Sequence, residues 1–180
     1  DFAQGAHVLG VPGHGGPCLD EAGGPSQIRK AIEMTNPVTR QAIVDVAMAW
    51  LGTPYRHQAS LRGVGCDCLG LLRGVWRELY GDEPEEMPAY TADWAEARGG
   101  DRFAGAAGRH MASVPPEAAK TGDLLLFRWR ENLPAKHAAI LIAPDRFLHA
   151  QDGAAVATAA LSPWWRRRAA FAFSFPGVTD

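Results

Sequence analysis

One change of period governs what this chain can fold into. Apolar side chains recur at helical spacing early in the sequence, then fall into short runs or strict alternation from residue 123 onward. Ile43, Val46, Ala47, Trp50 and Leu51 mark one helical face, with Asn36-Pro37 as cap and first-turn proline and Gly52 and Pro54 as its end. Cys68, Leu71, Leu72, Val75, Trp76 and Leu79 mark a second face, with Asp67 in front of it and Gly81 behind. Residues 82–112 carry an acidic loop (Asp82, Glu83, Glu85, Glu86), read as a solvated turn, and then short Ala-rich pieces with helical character. Strand-like runs follow at Asp123–Trp129, His137–Ala143, Arg146–Ala150, Ala154–Ala159 and Ala170–Phe175. Helices first and strands afterwards predict an α+β domain with a largely antiparallel sheet.

Residues 1–36 have a different texture. The first 33 hold seven glycines and three prolines and no period of either kind, which predicts an N-terminal extension or tag-like arm ahead of a domain over 37–180. Met34 stands where regular sequence begins. The stretch lacks the basic start and continuous apolar centre of a secretory signal, so synthesis in the cytoplasm is expected. The longest clear apolar run, Ala138–Ala143, stops at Pro144, far short of the roughly 18 residues of a membrane helix. A net charge of −2 over 180 residues predicts no direct nucleic-acid binding by bulk electrostatics. Three cysteines cannot form a closed disulfide framework, which leaves a working thiol to be found.

The serine elbow, the phosphate loop, Cys-x-x-Cys and His-Glu-x-x-His are all absent from the sequence. Cys68 follows a capping Asp67 at a helix start, where unpaired N–H groups and the positive dipole end favour a thiolate. The charge of Asp67 opposes this, so an imidazolium is expected as second stabiliser. Equally, Cys68 is a small apolar residue on the stripe it shares with Leu71 and Leu72. His137 and His149 stand on neighbouring predicted strands, either as hydrogen-bonded structural residues or as a base and the group that orients it. Cys66, Cys68 and His57 offer three metal ligands without a fourth at familiar spacing, so no metal is assigned. Trp164-Trp165-Arg166-Arg167-Arg168 reads either as an anion-binding patch or as a solvated rim with the tryptophans packed beneath.

Taken together, Trp50-Leu51-Gly52-Thr53-Pro54-Tyr55, Asp67-Cys68-Leu69-Gly70-Leu71, Thr121-Gly122-Asp123-Leu124-Leu125-Leu126-Phe127, His137 and Phe147-Leu148-His149-Ala150 resemble, in that order, the NlpC-type cysteine peptidases. These are papain-like enzymes that cut the peptide stems of bacterial cell walls, and the resemblance runs from about Gln41 to Phe175. It implies a papain-like fold in which Cys68 is the nucleophile, His137 the general base and His149 the polar residue that orients the base. Tyr55 and Asp67 are implied as support for the substrate or oxyanion, and no cofactor is implied. Leu69 departs from the serine usual in the family, and Cys66 is an extra thiol.

His57-Gln58-Ala59-Ser60 and Gly65-Cys66-Asp67-Cys68 resemble most the branch carried by tailed phages and gene transfer agents. The resemblance therefore implies an endopeptidase acting on peptidoglycan, of the γ-D-glutamyl-diaminopimelate type. It further implies tail hub or tail-tip proteins as partners and carriage to the cell wall within the particle. Two alternatives stay open at this point: a structural tail-tip plug or adaptor built on a peptidase fold, and a thiol amidase or acyltransferase.

Overall fold

Thr39 opens the first helix. Its backbone is extended and its hydroxyl accepts a hydrogen bond from the Ala42 N–H at 3.1 Å, so α1 spans Arg40–Met48. The computed structural model describes residues 37–86 and 101–180 of the unit Pro37–Asp180. Asn36, the expected cap, lies outside the described residues, as do the whole 1–36 extension and the segment 87–100. The stripe expected on this helix outlasts it. Ile43 and Ala47 are buried on α1, Trp50 is buried in the turns that follow, and Leu51 is 51% exposed there.

A short antiparallel hairpin, β1 (Ser60–Leu61) and β2 (Gly65–Cys66), leads into α2 (Cys68–Tyr80). Here cap, stripe and stop fall where the sequence puts them. Asp67 accepts from the Gly70 N–H at 2.7 Å, Leu71, Val75 and Trp76 are buried, and Gly81 ends the helix at φ +86°. Two glycines let neighbours close on this helix. A Cβ on Gly70 would fall on the carbonyl oxygen of Ala59, and one on Gly74 would fall within the Trp50 ring.

The acidic loop is not a solvated turn. Arg73 and Arg77, one helical turn apart on α2, both donate to Glu83, and Arg109 holds Glu85 from α3 (Arg102–His110) at 2.7 Å. Burial pushes the Glu83 carboxyl up, but the bonds from Arg73 and Arg77 outweigh it and hold the group below the usual carboxylate range.

Six strands make one antiparallel sheet. They are β3 (Ala112–Val114), β4 (Leu124–Phe127), β5 (His137–Ala143), β6 (Arg146–Ala150), β7 (Val156–Ala160) and β8 (Ala169–Ser174), in the order β3-β8-β4-β5-β6-β7. β3, an edge strand on β8, is an element the sequence did not announce. Alternation sorts the sheet's side chains into two clusters. Leu124, Leu126, Ile140 and Leu148 join the core that includes Ile43, Leu71 and Val75 of the helices. Leu125, Phe127, Leu141 and Phe147 form the second cluster, with Leu161 and Trp165 packed on it. Trp165 belongs to α4 (Pro163–Arg166), a single turn between β7 and β8.

One buried carboxylate ties the layers together. Asp123, 1% exposed, accepts from Arg40 Nη1 at 2.8 Å, Ser174 Oγ at 2.6 Å and the Lys120 N–H at 2.8 Å. It joins the start of α1 to the end of β8 and to the turn before β4. No helix among the described residues is long and apolar enough to cross a membrane.

Candidate active site

Cys68 is the first residue of α2, and the helix start aims its sulfur at the start of β5. The thiol points to the carbonyl of Lys136 at 3.9 Å, a long and weak contact, while the Ala138 N–H donates to the sulfur. The sulfur is thus held against the backbone on both sides of His137. Burial is the largest influence on its acidity and pushes the thiol up to about 11, with the Asp67 charge adding to the rise. The N–H groups of Ala138, Leu69 and Cys68 itself work the other way without reversing it.

His137 opens β5 opposite Phe127 of β4, and His149 lies on β6 opposite Ala157 of β7. The β5–β6 register brings the two imidazoles together, with His137 Nε2 and His149 Nδ1 2.9 Å apart. Burial, then the neighbouring His149, depresses His137 to about 3, and burial lowers His149 as well. Both rings are therefore neutral at physiological pH. Desolvation on both partners thus works against the expected thiolate–imidazolium pair and favours a neutral thiol beside a neutral imidazole.

Tyr55 is pinned by its backbone, its N–H donating to the Ala154 carbonyl at 3.1 Å and its chain bridging to Cys66. Burial first, and then the charges of Asp67, Cys68 and Asp152, push its phenol up to about 12. The phenol therefore stays protonated at neutral pH. Asp67, expected to support the substrate or oxyanion, bonds to backbone on both of its oxygens. One carboxylate oxygen takes the Gly70 N–H and the other the Gln58 N–H at 2.7 Å, with His57 Nδ1 3.4 Å away. Gln58 sits at φ +63°, a strained position for a side chain-bearing residue, and this bond helps to hold it there. Asp67 therefore ties the loop at Gln58 to the start of the Cys68 helix. Cys66 is fully buried on β2, its thiol pushed up to about 12 mainly by burial.

The NlpC/P60 family model matches residues 52–172, about two thirds of the chain, a span that contains every residue of this site. The chain belongs to that family. Among solved structures, the NlpC/p60 domain of the peptidoglycan hydrolase SagA is 27% identical over 77% of this chain and all of its own length, with a TM-score of 0.54. An NlpC/P60 protein from Bacillus cereus ATCC 10987 matches at 19% identity and TM-score 0.57, over 78% of this chain and 41% of its own length. A similar-to-lipoprotein NLP/P60 protein from Staphylococcus aureus Mu50 matches at 22% and TM-score 0.51, over 81% of this chain and 45% of its own length. The last two show the fold alone. No curated protein sequence matches the chain.

The helix-then-sheet fold is thus that of the NlpC/P60 domains, as expected from the order of periods. Within it the structure adds a ring of aromatics that the sequence reading did not assign to the site. Phe127, Trp129 and Trp165 all lie about 6 Å from His137, ring centre to ring centre. The Trp164-Trp165 doublet was the available signal. Its second member packs inward, and Arg168 lies over the exposed ring of the first at 3.8 Å.

Proposed function

We propose that this chain is a cysteine endopeptidase that hydrolyses peptidoglycan stem peptides, with Cys68 as nucleophile, His137 as general base and His149 as its orienting partner. The observation that carries the reading is the placement of Cys68. A thiol at a helix start is flanked by backbone on both sides of His137, whose ring meets a second imidazole at 2.9 Å. The base role requires the tautomer in which His137 Nε2–H donates to His149 Nδ1 and leaves Nδ1 of His137 bare.

The thiol proton passes to that nitrogen as sulfur bonds the scissile carbonyl carbon. The oxyanion faces the Cys68 N–H and the Tyr55 hydroxyl. His137 then returns the proton to the departing amine as the C–N bond breaks, leaving a thioester. Water, deprotonated by the same imidazole, displaces the thiol and restores the resting enzyme. The 27%-identical SagA domain, a peptidoglycan hydrolase, supports this substrate class.

Two finer assignments belong to the same proposal. The bond cut is the one after γ-D-glutamate, next to diaminopimelate, and the protein works from the tip of a phage-like tail, bound to hub or tip proteins and delivered with the particle to the cell wall. Family resemblance supports the bond, and the motif details around His57–Ser60 and Gly65–Cys68 support the tail. The domain unit 37–180 carries the activity, with 1–36 as a separable extension. Mass spectrometry of fragments released from purified sacculi tests the bond: new ends at D-glutamate and diaminopimelate are expected, and ends at any other linkage refute it. Protein mass spectrometry of purified particles tests the location, which fails if the chain is absent from them.

A further inference from the structure

We propose that Trp165 is a positioning residue for the imidazole pair, an indole set against both rings that fixes their tilt and with it the 2.9 Å contact between them. The inference rests on the catalytic reading of that pair. A histidine's own stereochemistry does not set its ring orientation, because the torsion between Cβ and the ring is broad and roughly two-fold. The tilt of His137 decides two things at once: whether Nε2 meets His149, and where Nδ1 points. It must therefore be imposed by neighbours.

The ring contacts single out one neighbour. Phe127 meets His137 at 6.1 Å, and Phe147 meets His149 at 5.0 Å. Trp165 lies 5.9 Å from both imidazoles, tilted by 31° to His137 and edge-on to His149 at 80°. It also packs edge-to-face on Phe127 at 4.8 Å and Phe147 at 5.1 Å, two rings with no exposed surface. The wedge is thus seated on rigid core. Trp129 stacks near His137 at 6.0 Å but is 37% exposed, and its ring contacts do not include His149. The short helix α4 carries Trp165 from outside the strands that hold the histidines, so its removal leaves β5 and β6 paired.

The test uses the full chain with Trp165→Ala, Trp165→Leu and Trp165→Phe. It reads imidazole ¹⁵N resonances across pH together with the kinetics of sacculus hydrolysis. In the wild type a single His137 tautomer is expected, resisting protonation well below the ordinary histidine range. In Trp165→Ala the tautomers should mix, the titration should move toward about 6.5, and kcat should fall roughly 10- to 100-fold with KM little changed, the scale of a mispositioned catalytic group. Trp165→Phe should recover most of both readouts. Should the alanine variant fail to fold, leucine against phenylalanine decides, since only phenylalanine keeps an aromatic wedge. Unchanged tautomer and titration in a folded alanine or leucine variant would overturn the proposal. The spectra keep their meaning whatever the thiol does, so a Cys68→Ala protein that still releases fragments removes the catalytic reading without deciding this one.

Discussion

At the scale of single residues, burial sets the protonation state of the site, and its sign is testable. The unfolded chain takes up protons on His137 and His149 near pH 6.5, whereas the folded chain holds His137 neutral down to about 3. Their contribution to stability is intact above pH 6.5 and is lost progressively as pH falls from there toward 3. Melting temperature should decline over that window, and His137→Gln should flatten part of the decline. A flat profile in the wild type would contradict buried, neutral histidines. The thiol gives the mirror case. Its rise from 9.0 to about 11 keeps it protonated at neutral pH, so alkylation of Cys68 by iodoacetamide should be slow at pH 7 and accelerate toward pH 11. A rate that has already reached its plateau at acid pH would reveal a preformed thiolate–imidazolium pair. The sequence could place Cys68 after its cap, because capping is local. It could not give the direction of titration, because burial comes from a strand some 70 residues downstream and long-range packing leaves no local mark.

At the scale of elements, α2 was legible because its signals agree. Asp67 caps it, the apolar stripe gives its face and Gly81 ends it, and all three act within a few residues. α1 was less so: its stripe continues through Trp50 into turns, where burial against α2 replaces helical packing as the reason for the apolar residue. β3 was not legible, since a three-residue, largely exposed edge strand has too little of one face buried to impose alternation. The acidic loop was misread because the arginines that hold it come from two different helices. The contact of Trp50 with Gly74 makes an element-level prediction. Gly74→Ala raises helix propensity, but its methyl would fall within the Trp50 ring, whose Nε1 is held by Glu78 at 2.9 Å. The clash should win, lowering stability by about 1–3 kcal/mol in urea unfolding. A neutral or stabilising effect would mean that Trp50 is free to move aside.

At the scale of the whole molecule, the sheet assembles what the sequence lists apart. Cys68, His137 and His149 come from three elements, and antiparallel register, rather than any motif, brings the two rings within 2.9 Å. The Thr121-Gly122-Asp123 motif, part of the resemblance, proves to be a clamp between α1 and the sheet. Asp123 anchors Arg40 and Ser174, so it holds α1 to the sheet. Asp123→Ala should cost about 1–3 kcal/mol, because Ser174 and the Lys120 N–H lose a buried acceptor while Arg40 keeps Asp180. That loss is read as a lowered urea midpoint, and an unchanged midpoint would show that the clamp is dispensable. The proposed chemistry stands on the Cys68 sulfur making the bond to the substrate carbonyl. The direct measurement is the initial rate of fragment release from purified sacculi by wild type and by Cys68→Ala, at equal concentrations of folded protein. The wild type should release stem-peptide fragments and the variant none above background; a Cys68→Ala protein that still releases them would contradict the account.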